Sequence, residues 1–176
     1  FIDYFRGQED LNNQLIRAIG NPKERIKEDY LRILRAIRFA CQLDFSIDED
    51  LSNAIKEEKN NLCLISVERI KEEFNKILIS KKPSIGIDLL ASHGLLEIIS
   101  SDIYKMIGFN QYSSFHDLDL YEHSMKALDN TEPILELRLA ALFHDAGKPK
   151  SFFIDEKGEG RFYGHQMISG EIVKAF

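Results

Sequence analysis

The apolar positions in the first half of the chain recur at the spacing of amphipathic helices. Between residues 21 and 43 they return every three or four residues, with Asn21 in the position of a helix cap and Pro22 at the first helical position. This pattern predicts one continuous helix over residues 21–43. Ser46 and Glu49 have the spacing of a capping box and predict the start of a second helix. Further helices are predicted over residues 66–82, 84–92 and 95–107.

The second half combines helical patterns with a short stretch of strand-like sequence. Helices are predicted over residues 117–128, 133–144 and 168–176. Residues 151–154 and 161–163 are rich in β-forming side chains and flank a run of Gly and charged residues, which predicts a β-hairpin. The turn-forming run over residues 108–114 is the predicted boundary between the halves. The predicted fold class is therefore mainly α, with a small β-hairpin.

The composition is that of a folded chain rather than a disordered or membrane protein. Of 176 residues, 44% are hydrophobic and 30% are charged, which suffices for a buried core. The longest apolar runs have about six residues, against about 18 for a membrane span. Cys41 and Cys63 are too few for a disulfide framework, and the first residues lack the pattern of a signal peptide. A cytoplasmic location without membrane contact is the prediction.

The net charge of −6 conceals a strong asymmetry along the chain. Residues 1–82 contain 15 basic and 15 acidic side chains, whereas residues 83–176 contain 8 and 14. Within residues 17–38, seven basic side chains stand against three acidic ones. Such a local excess of positive charge suits phosphate groups. The alternative is a solvated helix face without a ligand.

Glu28, Asp29 and Arg32 have the spacing at which side chains meet on one face of a helix. A carboxylate beside a guanidinium presents an acceptor next to donors. Cytosine and adenine offer an amino donor next to a ring-nitrogen acceptor, whereas uracil and guanine offer a carbonyl next to an N–H. Asp29 and Arg32 could therefore accept C and A and reject U and G, with Glu28 holding Arg32 in place. The alternative is an ordinary surface salt bridge.

This region resembles the family of tRNA CCA-adding enzymes and bacterial poly(A) polymerases. The similarity is carried, in this order, by Gly7–Leu11, Ile16–Ala18, Gly20–Pro22, Glu28–Ala40 and Glu68–Leu78. The resemblance implies that Asp29 and Arg32 select the incoming CTP or ATP by its base, and that Glu28 orients Arg32. It also implies a helical neck that contacts tRNA, for which Arg35 and Arg38 are the predicted RNA contacts.

The resemblance further implies a division into domains. Residues 1–20 correspond to the end of the family's nucleotidyltransferase head, residues 21–110 to the base-recognition and RNA-binding helical neck, and residues 111–176 to a second domain. The family's catalytic head, with a Gly-Ser and an Asp-x-Asp pair that hold two Mg²⁺ ions, normally precedes the segment matched by Gly7–Leu11, and only six residues precede that segment in this sequence. Because phosphoryl transfer of this kind depends on such ions, we expect the 176-residue chain alone to add no nucleotides.

The second half contains four of the five histidines, at positions 116, 123, 144 and 165. His144 and Asp145 follow an apolar segment at the end of a predicted helix. Imidazole and carboxylate ligands suit Mn, Ni, Fe or Zn. These residues predict a metal site, with the alternative that the histidines cap helix ends without a ligand. For His116 and His93 a structural role is the prediction.

The second half is also similar to the HD phosphohydrolase superfamily, through Asp119–Ser124, Leu142–Pro149 and Phe162–His165. The resemblance implies a partial, C-terminally truncated α-helical HD domain. Its implied metal ligands are His123, His144 and Asp145, with Mn, Ni or Mg as the ion. The superfamily's closing Asp has no match in this sequence and is expected beyond Phe176. His165 is predicted to bind substrate phosphate or to act as an auxiliary ligand.

Four aromatic side chains flank the loop of the predicted hairpin: Phe152, Phe153, Phe162 and Tyr163. Two interpretations of this cluster are open. The rings could form a platform on which nucleobases stack, or they could pack the face of the hairpin. The packed face is the prediction.

Together these features predict a fragment of a tRNA nucleotidyltransferase that adds C and A to tRNA 3′ ends, or builds poly(A), from CTP or ATP. Its predicted partners are the 3′ end of tRNA or of another RNA, with Mg²⁺ in the head. Two alternatives remain open: a metal-dependent HD phosphohydrolase acting on cyclic phosphates or nucleotides, and a module that only binds RNA. The sequence leaves open the oligomeric state and the choice between CCA and poly(A) addition.

Overall fold

The computed structural model describes residues 2–112 and 119–176. The described chain is mainly helical and contains two short strand pairs, which confirms the predicted fold class. It divides into two compact units, Phe1–Ile98 and Ile99–Phe176, called unit 1 and unit 2 below. Each unit is described by itself.

The predicted domain organisation is only partly addressed by this division. The division after Ile98 comes earlier in the chain than the predicted boundary over residues 108–114. The bounds predicted for the head remnant, the neck and the HD domain therefore stay predictions. Within the described ranges, every helix is too short or too polar to cross a membrane.

Unit 1 is built from short helices around one apolar core. Its helices are α1 (Gly7–Asn12), α2 (Pro22–Glu28), α3 (Arg32–Leu43), α4 (Glu49–Glu58), a 3-10 helix (Lys59–Leu64), α5 (Val67–Leu78), α6 (Pro83–Ser92) and all but the last residue of α7 (Leu96–Ile99). Strands β1 (Leu15–Ile16) and β2 (Ser46–Ile47) pair in parallel. The apolar stripes of α3, α5 and α6 face one another and fully bury Ile33, Ile37, Phe74, Ile77, Ile87 and Leu90.

The predicted continuous helix over residues 21–43 is wrong, because the chain breaks between α2 and α3. Asp29 is extended, with φ −157° and ψ 105°. Its Oδ1 accepts a hydrogen bond from the Leu31 N–H at 3.1 Å. An Asp side chain that binds nearby backbone in this way competes with helical hydrogen bonding. Asn21 nevertheless caps α2 as predicted, since its side chain accepts from the N–H groups of Lys23 and Glu24.

The predicted capping box at Ser46 and Glu49 is also wrong. Ser46 lies in β2, opposite Leu15 of β1. The cap of α4 is Asp48, whose Oδ2 accepts from the Leu51 N–H at 3.3 Å. The pairing of β2 with a distant strand therefore overrides the local capping signal.

His93 ends α6 and fastens it to α4, in line with its predicted structural role. It is buried, and its Nδ1 lies 2.8 Å from the Leu89 carbonyl oxygen. Its Nε2 lies 3.0 Å from Ser52 Oγ on α4. Burial lowers the pKa of His93 below its usual value, because the interior disfavours the imidazolium form, although the bond to Leu89 opposes this effect.

We expect unit 1 to lose stability as the pH falls from 7 to 5.5, and His93→Gln to abolish that loss. The lowered pKa means that the unfolded chain binds a proton more readily than the folded one, so acidification below the unfolded pKa near 6.5 favours unfolding. His93 is the one histidine in the sequence of residues 1–98, so it is the main group that titrates in this window. Urea unfolding followed by amide NMR at both pH values checks this. Equal losses in both proteins would contradict it.

Unit 2 contains five helices and an antiparallel hairpin within its described residues. The helices are α8 (Ser101–Tyr104), α9 (Leu120–Asp129), α10 (Leu135–Phe143), α11 (Lys148–Ser151) and α12 (His165–Ala175). Strands β3 (Phe153–Ile154) and β4 (Gly160–Arg161) form the predicted hairpin. Side chains from α9, α10 and the segment after α10 fill the core, namely Leu120, Leu128, Leu142, Phe143 and Ala146.

Two of the predicted helices differ in their bounds from those in the structure. The predicted helix over residues 95–107 is wrong, because extended backbone at Ser100 separates the single-turn helices α7 and α8. The helix predicted from residue 117 begins in the described chain at Leu120, where Asp119 and Glu122 form a capping box. The predicted start of that helix, and His116, lie outside the described residues.

Candidate functional site

The structure brings Glu28 and Arg32 together but gives Asp29 a different partner. Arg32 Nη2 lies 3.1 Å from Glu28 Oε2, and Arg25 Nη1 lies 2.8 Å from the same oxygen. Asp29 Oδ2 instead accepts from Arg69 Nη2 at 2.9 Å. Glu28 thus sits between two guanidinium groups, a position from which it can orient Arg32.

Asp29 is held as an ionised acceptor. Partial burial raises the pKa of its carboxyl group, but the hydrogen bonds from the Leu31 N–H and from Arg69 outweigh this effect and lower the pKa below the ordinary value. Residue-level reasoning on the sequence missed Arg69. The signal was present, because Arg69 belongs to the Glu68–Leu78 segment that carries part of the family resemblance.

Four arginines of the predicted positive patch line one groove in unit 1. The groove has a volume of about 460 Å³, and its basic lining residues are Arg17, Arg25, Arg32 and Arg35. Apolar side chains complete it, among them Ile16, Ile19, Ile26, Phe39 and Leu51. Its described lining contains no acidic residue. An apolar floor surrounded by guanidinium groups suits a ligand with a flat ring and phosphates.

The two predicted RNA contacts differ in accessibility. Arg35 is exposed and lines the groove. The Arg38 side chain is only 14% exposed, and its Nε lies 2.9 Å from Glu73 Oε2, an ion pair without hydrogen-bond alignment. Glu73 is itself buried and also pairs with Lys76 at 3.0 Å. Arg38 therefore braces α3 against α5, which leaves Arg35 as the better placed of the two for RNA.

Unit 2 brings the three predicted metal ligands into one cluster. His123 lies on α9, and His144 and Asp145 follow α10. The two Nε2 atoms are 3.2 Å apart, and Asp145 Oδ2 lies 3.3 Å from His144 Nε2 and 3.9 Å from His123 Nε2. His144 Nδ1 lies 2.8 Å from the Ala141 carbonyl oxygen, which holds the ring with Nε2 toward the cluster.

Two more side chains contact the same carboxylate. His165 Nε2 lies 3.4 Å from Asp145 Oδ1, and its Nδ1 lies 2.8 Å from the Phe162 carbonyl oxygen. The buried Lys148 places its Nζ 2.8 Å from Asp145 Oδ2 and donates to Gln111 Oε1 at 3.0 Å. The sequence reasoning included His165 but missed Lys148. Its position one turn after Asp145 was the available signal.

The electrostatics of the cluster couple Asp145 to its neighbours. Burial raises the pKa of Asp145, but hydrogen bonds with His144 and Lys148 outweigh burial and hold that pKa well below its usual range. Asp145 in turn raises the pKa of His144, although burial opposes this. A cation that binds through His144 Nε2 therefore competes with a proton for that nitrogen.

The donor set fits a divalent transition metal ion. Ligand atoms of His123, His144 and Asp145 all lie within 4.8 Å of one another. Two imidazole nitrogens and a carboxylate oxygen are ligand types suited to Mn, Ni, Fe and Zn. The assignment of these residues as ligands stays a prediction.

Comparison with known proteins shows that the chain is similar to tRNA nucleotidyltransferases. A family model described as "Probable RNA and SrmB- binding site of polymerase A" matches residues 44–106. The chain is 34% identical to the CC-adding tRNA nucleotidyltransferase of Thermus thermophilus over 96% of this chain and 41% of that protein. It is 30% identical to the A-adding tRNA nucleotidyltransferase of Deinococcus radiodurans, over 98% of this chain and 42% of that protein.

The chain belongs to the CCA-adding tRNA nucleotidyltransferase family. It spans about two fifths of the length of these two relatives. Among solved structures, the CCA-adding enzyme of Bacillus stearothermophilus in complex with CTP has the same fold, with a TM-score of 0.64 and 24% identity over 98% of this chain and 39% of that chain. The family implies a general dependence on divalent metal ions.

Proposed function

We propose that this chain selects the nucleotide and contacts tRNA within an enzyme that adds C and A to tRNA 3′ ends from CTP and ATP. The observation that carries the proposal is the arginine-lined groove of unit 1 with its apolar floor. The names of the relatives support CC, CCA or A addition to tRNA rather than poly(A) synthesis. The predicted cytoplasmic location accords with this function.

Base selection is assigned to Asp29 and Arg32. Asp29 is an ionised acceptor held by Arg69, and Arg32 is a donor that pairs with Glu28. A carboxylate acceptor and a guanidinium donor together complement the edge of cytosine and of adenine, whereas uracil would place a carbonyl against the carboxylate. Solved structures of CCA-adding enzymes in complex with CTP and with ATP support these two nucleotides as ligands.

Contact with tRNA is assigned to the arginines of the groove, of which Arg35 is exposed. The family model over residues 44–106, described as an RNA-binding site, supports RNA as a partner. Arginines that approach phosphate groups bind by charge and by bidentate hydrogen bonds. Mg²⁺ belongs to the catalytic head of the proposed whole enzyme.

Saturation-transfer NMR on the 176-residue chain with each of the four ribonucleotides tests base selection. We expect CTP and ATP to receive saturation and UTP and GTP to receive far less, since a site built to accept an amino group leaves its carboxylate unpaired against a carbonyl. Equal saturation of all four would contradict base selection. If tRNA then bound with a steep salt dependence, the module that only binds RNA would be the correct interpretation.

A second candidate function is supported by the cluster around Asp145. We propose that unit 2 is a metal-dependent phosphohydrolase site with His123, His144 and Asp145 as ligands and Mn, Ni or Mg as the ion. A bound divalent ion supplies Lewis acidity for the hydrolysis of a phosphate ester. Lys148 holds the Asp145 carboxylate by an ion pair, while His165 places an imidazole beside the same carboxylate, where it could contact a substrate phosphate.

We expect Ni²⁺ to bind the chain and His144→Ala to lower the Ni²⁺ affinity by about tenfold or more. Loss of a residue that only supports a metal ligand typically lowers metal affinity by about 10–100-fold, and loss of a ligand itself should cost at least as much. Affinity should also fall as the pH drops, since Asp145 raises the pKa of His144 and protonated imidazole cannot ligate. Calorimetric titration measures both effects, and His93→Gln is the control because His93 lies in unit 1. Unchanged Ni²⁺ affinity in His144→Ala would contradict the site.

A further inference from the structure

Glu28 shares its carboxylate between two arginines that belong to different helices. Arg25 Nη1 lies 2.8 Å from each carboxylate oxygen of Glu28, and both residues are part of α2. Arg32 Nη2 lies 3.1 Å from Glu28 Oε2, but Arg32 is the first residue of α3. The chain is extended at Asp29, between the two helices. A regular helix therefore does not hold Glu28 and Arg32 on one face.

Arg25 supplies a restraint on Glu28 that the helix break removes. Glu28 is the last residue of α2, and its side chain is 49% exposed, so packing alone does not fix it. Arg25 lies three residues earlier on the same helix, at a spacing at which side chains meet. Because its Nη1 contacts both carboxylate oxygens, Arg25 holds the carboxylate where Oε2 also reaches Arg32.

The shared carboxylate also affects the donors that Arg32 keeps for a ligand. A guanidinium has five N–H donors, and a carboxylate can occupy two of them in a fork. With Arg25 present, Glu28 divides its charge between two guanidinium groups. Without Arg25, the carboxylate would be free to turn toward Arg32 alone and to occupy the donors that a base would use.

Helix α2 itself is fixed by contacts that do not involve Arg25. Ile26 is buried in the core of unit 1, and Lys23 Nζ lies 2.7 Å from Glu57 Oε2 on α4. The Arg25 side chain is 43% exposed, and an exposed ion pair contributes little to stability. Arg25 and Arg32 both line the arginine-rich groove, so the pairing of Arg25 bears on the ligand of that groove rather than on the fold.

We propose that Arg25 is a positioning residue for base selection, because through Glu28 it sets the orientation of Arg32. The inference rests on the proposed selection of the base by Asp29 and Arg32, and it adds the residue that keeps the donor of that pair aligned. Arg32 donates to the ring nitrogen that is an acceptor in cytosine and an N–H in uracil. A hydrogen bond weakens steeply when its angle is lost, so a turned Arg32 discriminates less well between CTP and UTP.

The CTP and UTP affinities of the 176-residue chain and of its Arg25→Met variant, measured by ligand-observed NMR titration, test the proposal. We expect the ratio of CTP to UTP affinity to fall about fivefold in Arg25→Met, as for the loss of one well-aligned hydrogen bond. The free energy of unfolding should stay nearly unchanged. Arg25→Lys should keep most of the ratio, since an ammonium can replace the single nitrogen that contacts Glu28.

Lys27→Met is the matched control. It removes the same charge from the same helix, at a side chain that is 53% exposed and lies 3.7 Å from Glu58. The ratio of CTP to UTP affinity should therefore stay unchanged in Lys27→Met.

Glu28→Ala shows whether Arg25 acts through Glu28. Glu28→Ala alone should lower the ratio of CTP to UTP affinity. Adding Arg25→Met to it should lower the CTP affinity no further, because residues that act through one contact are not additive. An equal effect of Arg25→Met with and without Glu28 would place Arg25 on the nucleotide itself and would overturn the positioning role.

The same affinities separate this proposal from the one on which it rests. If the unchanged chain and Lys27→Met bind CTP and UTP equally, base selection fails and the positioning role fails with it. If both prefer CTP and Arg25→Met prefers CTP as strongly, base selection stands and the role of Arg25 is refuted. A parallel loss of CTP and UTP affinity in Arg25→Met, with their ratio unchanged, refutes it as well.

Discussion

Gly147→Ala should lower the free energy of unfolding of unit 2 by about 3 kcal/mol. A Cβ at this position would meet the His165 backbone carbonyl oxygen and would lie 2.9 Å from the Ser169 backbone nitrogen. Backbone atoms of α12 cannot rotate away as a side-chain end can, so the whole helix must shift. The Gly147 N–H also donates to Ser169 Oγ at 2.9 Å, and that bond would be strained by the same shift.

The shift of α12 should disturb the cluster around Asp145 as well as lower the stability of unit 2. His165 begins α12, and its Nε2 lies 3.4 Å from Asp145 Oδ1. A shift of α12 therefore separates the two side chains. We expect the His165 ring resonances to lose their dependence on an Asp145→Asn substitution in the Gly147→Ala background.

Gly170→Ala is the matched control, because it lies on the same helix with open space where its Cβ would stand. An Ala in a helix interior is favoured over Gly, so this variant should be neutral or slightly stabilising. Urea unfolding followed by amide resonances of α9 and α12 compares the two. Equal unfolding free energies for Gly147→Ala and Gly170→Ala would show that α12 does not pack as described.

The second large effect concerns Asp29. Asp29→Ala should weaken CTP binding by about tenfold or more, because a hydrogen bond from an amino group to an ionised carboxylate is worth roughly 1.5–3 kcal/mol. The substitution also frees Arg69, which otherwise holds the carboxylate at 2.9 Å. Asp29→Ala should also abolish the preference for CTP over UTP.

Glu57→Ala is the control for Asp29→Ala. Glu57 is an exposed acid of unit 1 that pairs with Lys23 at 2.7 Å, whereas Asp29 pairs with Arg69. Its removal changes the net charge by the same amount as the removal of Asp29 does. Any loss of nucleotide binding that both variants share therefore reports overall charge rather than base recognition.

Hydrophobic periodicity predicts the helices of this chain well and their interruptions poorly. The core positions of α3 and α5 follow from spacing alone, because each helix buries one apolar stripe. The break at Asp29 does not, because it depends on a single side chain that bonds the Leu31 N–H in place of a helical acceptor. Ser46 fails as a cap for a different reason, since its strand pairs with residues 15–16 about thirty positions earlier.

The residues of the candidate sites differ in the same way, because some could be grouped from the sequence and others could not. His144 and Asp145 could be paired from the sequence because a helix end releases both toward one point, and the resemblance to the HD superfamily added His123 to them. The pairs Asp29–Arg69 and Lys148–Gln111 could not, because each joins residues about forty positions apart whose meeting depends on helix packing. Arg38 shows the reverse, since its position in the basic patch suggests RNA contact while packing turns it toward Glu73.

Base selection by Asp29 is tested most directly by the ratio of CTP to UTP affinity in three proteins: the unchanged chain, Asp29→Ala and Glu57→Ala. We predict that the unchanged chain and Glu57→Ala prefer CTP by about tenfold or more and that Asp29→Ala shows no preference. A preference for CTP that survives in Asp29→Ala, or is lost equally in Glu57→Ala, would contradict the assignment of this carboxylate to the base edge.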